Sequence, residues 1–241
     1  MSGFVYLSVV IPAYNEAGAI QKVIEDHAAL LGQLKGHISE WEIVCLDDAS
    51  RDDTHLILKK LAETIPQLKV MRHSVNQGIQ TTFFDLYQAA EGELIYATGG
   101  DGQWPPENLK RMLEGLIGQH ADFVIGVRTN RQQIYSRMRQ IVSFCFNLLP
   151  KILFGVDTRD AGSAKLGRRE VFRMPVISKS SFAEAERIIR AQKSGYQIHF
   201  VPIQFISRAS GKETGAKWKN VWQSFEDCLK VFFLGNSIKQ K

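Results

Sequence analysis

Long apolar runs are missing from this sequence. No stretch reaches the about 18 consecutive apolar residues that a membrane-crossing helix requires, so a spanning helix is not expected. The nearest candidate, IVSFCFNLLPKILFGV (residues 141–156), is interrupted by Asn147, Pro150 and Lys151. The first apolar segment, MSGFVYLSVVIP, has no basic region ahead of it and no small-residue cleavage site. It reads as a first strand and not as a signal peptide. Cysteine is scarce: Cys45, Cys145 and Cys228 lie far apart, without metal-ligand spacing and without the density of a disulfide framework. Buried thiols in a reducing compartment are expected. There is no low-complexity linker and no internal repeat, so the 241 residues read as one domain. Charge of one sign is not in great excess. A net +5 suits an ordinary solvated surface, or an anionic partner such as a nucleotide, a phosphate or a membrane headgroup. No nucleic acid is expected among its partners.

What is present is an alternation of buried strands and amphipathic helices. Strand-like runs occupy residues 5–11, 41–46, 68–72, 93–97 and 122–127. Helical spacing occupies 17–31, 53–64, 81–90 and 106–118 between them. Continuous apolar strands separated by helices of this length predict a parallel sheet covered on both faces, with right-handed crossovers. Beyond residue 128 the pattern is looser. Residues 135–154 read as one or two apolar helices broken near Pro150, 184–194 as a helix and 197–206 as a strand. Residues 217–234 are amphipathic, with Trp218, Val221, Trp222, Phe225, Leu229 and Phe232 on one face. That face suits a core or dimer seam, or a membrane anchor. The fold class is α/β, with a mainly parallel central sheet flanked by helices.

Ligands of open parallel sheets bind beyond the carboxyl ends of the strands. The segments found there are PAYNE (12–16), DDASRDDT (47–54), HSVNQG (73–78), TGGDGQ (98–103) and VRTNR (127–131). Polar and acidic groups therefore converge on one edge. Asp52 and Asp53 are equally well read as a helix start, with Ser50 or Asp52 as the N-cap. Asp47 and Asp48 extend an apolar strand and belong to neither the core nor the cap, and Asp48 is expected past the strand, within reach of solvent. Asn76, Gln77 and Gly78 are equally compatible with a plain turn.

In that order and spacing, VVIPAYNE, VCLDDASRDDT, VNQG and GGDGQWPPE resemble the motifs of the nucleotide-sugar-dependent glycosyltransferases with the GT-A fold. The likeness is greatest to the large inverting family that holds dolichol-phosphate mannose synthase and bacterial polyprenyl-phosphate glycosyltransferases. It continues through GVR (126–128), RDAGSAKLGRREVF (159–172) and RASGK (208–212), and so covers essentially the whole chain. The resemblance implies a single GT-A, Rossmann-like domain. Residues 1–128 would be its nucleotide-sugar half and 129–241 its acceptor half, with the amphipathic helices. It implies a nucleotide cradle at Pro12, Ala13, Tyr14 and Glu16, with Asp48, Asn76, Gly78, Gly100 and Asp101 completing the donor site. Asp48 would read the base or ribose. Mg²⁺ or Mn²⁺ would be held by Asp101 with Gln103 in support. Asp101, Arg128 and Asp160 would be the catalytic set, and Lys165 the family's basic residue after it. Arg128, Arg131, Arg208 and Lys212 would meet an acceptor phosphate.

The chain also departs from the family pattern. Gly99 stands where the motif has its first acid, and Gln80 and Asp85 replace small or basic residues after N-x-G. The Q-x-x-R-W motif of processive synthases is absent, which suits transfer of a single sugar. A lipid phosphate acceptor is already an oxyanion and needs little general base. Arg137 and Arg139 precede the apolar 141–154 stretch, an arrangement that suits either a headgroup interface or a helix packed on the sheet. The expected function is transfer of one sugar from a nucleotide sugar to a polyprenyl phosphate. The expected place is the cytoplasm, with peripheral contact at the cytoplasmic membrane face; a membrane partner and a homodimer are both compatible. Two rival readings remain: a transferase acting on a growing glycan or glycolipid, and a catalytically weak sugar-nucleotide-binding scaffold.

Overall fold

A computed structural model describes residues 5–34, 36, 38–129, 137–206 and 218–235. Its strands are β1 (Val5–Ala13), β2 (Ile38–Asp47), β3 (Leu68–Arg72), β4 (Leu94–Ala97), β5 (Phe123–Arg128), β6 (Lys165–Arg168) and β7 (Ile198–Ile203). Its helices are α1 (Ile20–Gln33), α2 (Thr54–Thr64), α3 (Ile79–Ala89), α4 (Glu107–Gly118), α5 (Arg137–Phe154), α6 (Arg169–Phe172), α7 (Phe182–Lys193) and α8 (Trp218–Gly235). The strands form one sheet in the order β3-β2-β1-β4-β6-β5-β7. β1 pairs in parallel with β2 and β4, β2 with β3, and β5 with β7. Chain order reverses between β1 and β4, the point at whose carboxyl ends open α/β sheets bind ligands.

Alternation along β1 shows why both faces are covered. Leu7, Val9 and Ile11 enter the apolar layer shared with α1, α2 and α4, and Val10 enters the layer shared with α3, α7 and α8. Each such side chain contributes about 1.5–3 kcal/mol on burial. The parallel strands thus read as continuous apolar runs.

Three expectations are corrected. β6 is an additional strand, antiparallel to β4 and β5. It is only four residues long and carries Lys165 and Arg168 at its ends, so neither period nor composition marks it. The 137–154 region is one helix that runs through Pro150. The proline removes a single backbone bond, while Phe146, Leu149, Leu153 and Phe154 pack on the core. On α8 the expected face is rotated. Ser224, Asp227, Cys228 and Val231 are buried, whereas Trp222 is 63% and Phe225 39% exposed. Polar contacts explain this. Asp227 Oδ2 accepts the N–H groups of Lys179 (3.0 Å) and Ser180 (2.9 Å), and the Ser224 hydroxyl meets that of Ser181 at 2.8 Å. These bonds turn the polar stripe inward.

The amino-terminal edge of the sheet is closed by a buried carboxylate. Glu42 accepts from the Ser8 hydroxyl (2.5 Å) and the Glu91 N–H (2.7 Å), and Lys69 lies 2.8 Å from its other oxygen. Burial works against the charge, yet Lys69, Ser8 and Glu91 together hold the Glu42 carboxyl below its ordinary pKa. Gly92 donates to Ser8 Oγ at 2.8 Å. A Cβ at residue 92 would stand 2.6 Å from Ser8 N, so only glycine fits.

Candidate active site

The loops after β1 and β2 are stitched to each other. Asn15 N–H donates to Ser50 Oγ (2.9 Å), Glu16 N–H to Thr54 Oγ1 (2.8 Å) and Ala17 N–H to Asp52 Oδ2 (3.2 Å). Arg51 N–H donates back to Asn15 Oδ1 at 2.8 Å, and Asp48 N–H to Ala13 O at 2.8 Å. Asp52 also accepts the Thr54 N–H at 3.0 Å, but the N-cap of α2 is Asp53, without a side-chain cap bond, and not Ser50 or Asp52, whose side chains are drawn to the PAYNE loop instead. Tyr14 stands exposed above buried Pro12 and Ala13.

Asp47 and Asp48 are both buried; for Asp48, 4% exposed, this is contrary to the expectation of solvent reach. Asp47 Oδ1 accepts the Ser50 N–H at 2.9 Å, and Arg72 Nε lies 3.2 Å from its Oδ2. Asp47 thus holds its own turn. Asp48 does more: its two oxygens accept the N–H groups of Gln77 and Gly78, each at 2.8 Å. Asn76 Nδ2 donates to Asp48 O at 3.3 Å. The carboxylate therefore shapes the N-x-G loop. His73 bridges from Asp48 (Nδ1, 2.7 Å) to Asp85 on α3 (Nε2, 3.0 Å). Burial favours neutral His73, but the two carboxylates prevail and raise its pKa above the ordinary histidine value. Burial likewise opposes the Asp48 charge, and the Gln77 and Gly78 amides with His73 outweigh it and lower that carboxyl. Sequence reasoning missed His73; its only signal was its position between β3 and the asparagine turn.

After β4 the chain turns through Thr98–Gly102. Gly100 packs on the PAYNE loop, where a Cβ would lie 2.7 Å from Pro12 O. Asp101 is 9% exposed, and its Oδ1 accepts the Gln103 N–H at 3.1 Å. Gln103 Nε2 donates to Ile206 O at 3.3 Å, which ties this loop to the exit of β7. Among the described residues no three His, Cys, Asp or Glu side chains converge as a complete metal cluster. One hard carboxylate on a glycine turn still fits a divalent ion whose remaining ligands are phosphate and water.

At the end of β5, Asp160 accepts from Arg128: its backbone N–H at 2.8 Å, its Nε at 2.9 and 3.0 Å, and its Nη2. The guanidinium also lies 5.5 Å from the Trp104 ring centre and 5.1 Å from that of Phe205. Trp104 and Phe205 were not anticipated. Lys165, beside this pair, is buried at 3.0 Å from Glu184. Arg131, Arg208 and Lys212 lie outside the described residues, as do the side chains of Arg137 and Arg139. Pro12, Ala13, Glu16, Asp48, Asn76, Gly78, Gly100 and Asp101 are all on one edge, with Arg128 and Asp160.

A doubly covered, mostly parallel sheet with acidic loops near its strand-order reversal is an open α/β architecture, whose ligands bind at that point. Residues 8–174 match Glycosyl transferase family 2, and the chain belongs to that family. It is similar to the undecaprenyl-phosphate 4-deoxy-4-formamido-L-arabinose transferase of Pseudomonas syringae pv. syringae, 33% identical over 159 residues, which are 65% of this chain and 45% of that protein. The chain thus spans about half the length of such relatives. The undecaprenyl-phosphate mannosyltransferase of Micrococcus luteus is 26% identical over 214 residues, 84% of each chain. Glucosyl-3-phosphoglycerate synthase from Mycobacterium tuberculosis, in complex with phosphoglyceric acid, superposes with a TM-score of 0.71 at 18% identity, covering 94% of this chain and 79% of that one. A mannosyltransferase from Pyrobaculum calidifontis, in complex with GDP-Man and Mn²⁺, gives 0.66 at 17% identity, covering 95% and 65%. These likenesses establish the GT-A fold.

Proposed function

We propose that this chain transfers one sugar from a nucleotide sugar to a polyprenyl phosphate, with inversion at the anomeric carbon. The observation that carries the reading is that the Asp48, Asp101 and Arg128–Asp160 loops lie together at one edge of the sheet of a family 2 glycosyltransferase. Two relatives are named for acting on undecaprenyl phosphate, which supports the acceptor class. In the reaction, an acceptor phosphate oxygen forms the new bond to C1 as the bond from C1 to the nucleoside diphosphate breaks. A single displacement inverts that carbon. The acceptor is already anionic, so no general base is needed.

Each residue then has a task. Pro12, Ala13, Tyr14 and Glu16 line the nucleotide, and the Asp48 loop with Asn76 and Gly78 meets its base or ribose. Gly100 lets the backbone approach the diphosphate closely. Asp101 would hold Mg²⁺ or Mn²⁺, with Gln103 fixing the loop; the ion would neutralise charge building on the leaving diphosphate. Arg128, oriented by Asp160, faces the phosphates, with Arg131, Arg208 and Lys212 supplying further charge toward the acceptor.

The acceptor is membrane-bound, and no described helix is long and apolar enough to cross a membrane. Peripheral docking through α5 and α8 fits this. The two helices touch through Phe154 and Phe232 (5.8 Å) and leave Leu148, Ile152, Trp222, Phe233 and Leu234 exposed.

The test is to incubate the full chain with undecaprenyl phosphate, Mn²⁺ and a panel of nucleotide sugars. Mass spectrometry should detect a glycosyl-phosphoryl lipid with inverted anomeric configuration. Nucleotide-sugar binding with no product from any donor would instead favour the scaffold reading that Gly99 keeps open.

A further inference from the structure

Just past β7, an edge strand of the sheet, the chain is gripped by the loop after β4 and the first turn of α4. Gln204 N–H donates to Asn108 Oδ1 at 3.0 Å, and Asn108 Nδ2 donates to Gln204 O at 2.8 Å. One buried side-chain amide thus offers an acceptor and a donor to one residue, as a neighbouring strand would. Two residues on, Ile206 N–H donates to Gln103 O at 3.0 Å, and Gln103 Nε2 donates to Ile206 O at 3.3 Å. Phe205 lies between these two clamps, so its backbone is fixed on both sides. Its buried ring meets that of Trp104 at 4.6 Å and 60°. The two rings form a corner, and the Arg128 guanidinium lies against both, 5.5 Å from the centre of Trp104 and 5.1 Å from that of Phe205.

We infer that Asn108 and Phe205 are positioning residues for Arg128: the Asn108 amide fastens the exit of β7 to the loop after β4, and so holds together the aromatic corner that orients the guanidinium. Asp160 fixes one edge of the guanidinium through Nε and Nη2. That fork still lets the plane tilt about the line joining the two groups. The rings cover its face, favour the cation and stop the tilt. The corner is assembled from two segments 101 positions apart, Trp104 after β4 and Phe205 after β7, which the sheet does not pair with each other. The clamps at Gln204 and Ile206 join them. Asn108 therefore acts at one remove, through Gln204 and then Phe205. That the placing of Arg128 governs the rate rests on the proposed function. A charged group displaced by about 1 Å from its working position can cost about 100-fold in rate.

The Arg128 Nε–H, which donates to Asp160, is the reporter. NMR of the full chain without ligand reads its exchange with solvent, the signal being assigned by its loss in Arg128→Lys. Asn108→Ala and Phe205→Leu should each speed that exchange by about tenfold or more, as the corner opens locally. Turnover is the second readout. Per folded molecule, kcat and kcat/KM for the donor should fall together by about tenfold or more, the pattern of an interaction made in the transition state. Unchanged exchange in both variants, with only a lower Tm, would overturn the inference and leave the clamp as a structural contact. Faster exchange with turnover intact would overturn the link to the reaction. If Asn108→Ala does not fold, Phe205→Leu, which keeps the apolar filling and all four clamp bonds, decides by the same two readouts. A parent that forms no product with any nucleotide sugar would overturn the proposed function, while the ligand-free exchange would still decide whether Asn108 and Phe205 position Arg128.

Discussion

The two ends of this sheet use buried carboxylates differently. At the amino-terminal edge Glu42 draws in Ser8, Lys69 and the Glu91 N–H, so its bonds join one strand to its neighbours and close the edge. At the carboxyl edge three acids from different strand ends each hold a loop. Asp48 holds Gln77 and Gly78, Asp101 holds Gln103, and Asp160 holds Arg128. A buried acid alone therefore does not mark a site. What marks it is several acids shaping separate loops along one edge, beyond the carboxyl ends of the strands.

The sharpest way to break this contrast is a pair of substitutions with opposite signatures. Asp101→Asn should lower turnover by about 100-fold or more, the loss of several kcal/mol of charge stabilisation at about 1.4 kcal/mol per tenfold, with little change in Tm. Glu42→Ala should do the reverse. Leaving the Ser8 and Glu91 donors without their acceptor costs about 1–3 kcal/mol, read as a Tm lower by several degrees with turnover per folded molecule retained. If both variants lose activity and stability together, the two edges are not functionally distinct.

Asp48→Ala comes next in size. Loss of its charge-assisted bonds should weaken nucleotide binding by about 10–100-fold, equivalent to about 1.5–3 kcal/mol, as measured by calorimetry. Because Asp48 is buried and holds the 76–78 loop, faster amide exchange at Gln77 and Gly78 should accompany the loss. Unchanged affinity would remove Asp48 from the site.

The smallest effect is that of pH on the same loop. Folding raises the His73 pKa, so the imidazolium's contribution is complete below about pH 6.5, the unfolded value, and fades as pH rises through the folded value. A neutral ring has one N–H for two carboxylates, so one bond, to Asp48 or to Asp85, is lost. The lowered Asp48 carboxyl acts in the opposite sense, fading only as pH falls below the ordinary carboxylate range. Nucleotide affinity should thus decline modestly above neutrality, and His73→Gln should flatten that decline. A parent profile that is flat or rising from pH 6 to 9 would contradict this role.

Much of residues 1–128 could be read from the sequence because its signals are local. β1 follows a continuous apolar run, and the acids after β2 and β4 stand out directly beyond apolar strands. What could not be read depends on distant partners. β6 is too short for a period and exists because Lys165–Arg168 fills the gap between β4 and β5. The buried face of α8 was misread because Asp227 and Ser224 gain bonds from the 179–181 turn that no helical wheel contains. His73 and Trp104 were overlooked for the same reason: the first acts through Asp48 and Asp85, the second through Gly99, Phe205 and Arg128.

Hydrogen exchange of the full chain, with and without Mn²⁺ and a nucleoside diphosphate, tests the central claim most directly. Slower exchange should be confined to the carboxyl edge, at residues 12–17, 48–54, 76–79 and 98–103, with no change around Glu42, Lys69 and Glu91. Protection at the amino-terminal edge, or none anywhere at saturating nucleotide, would contradict the assignment of the donor site.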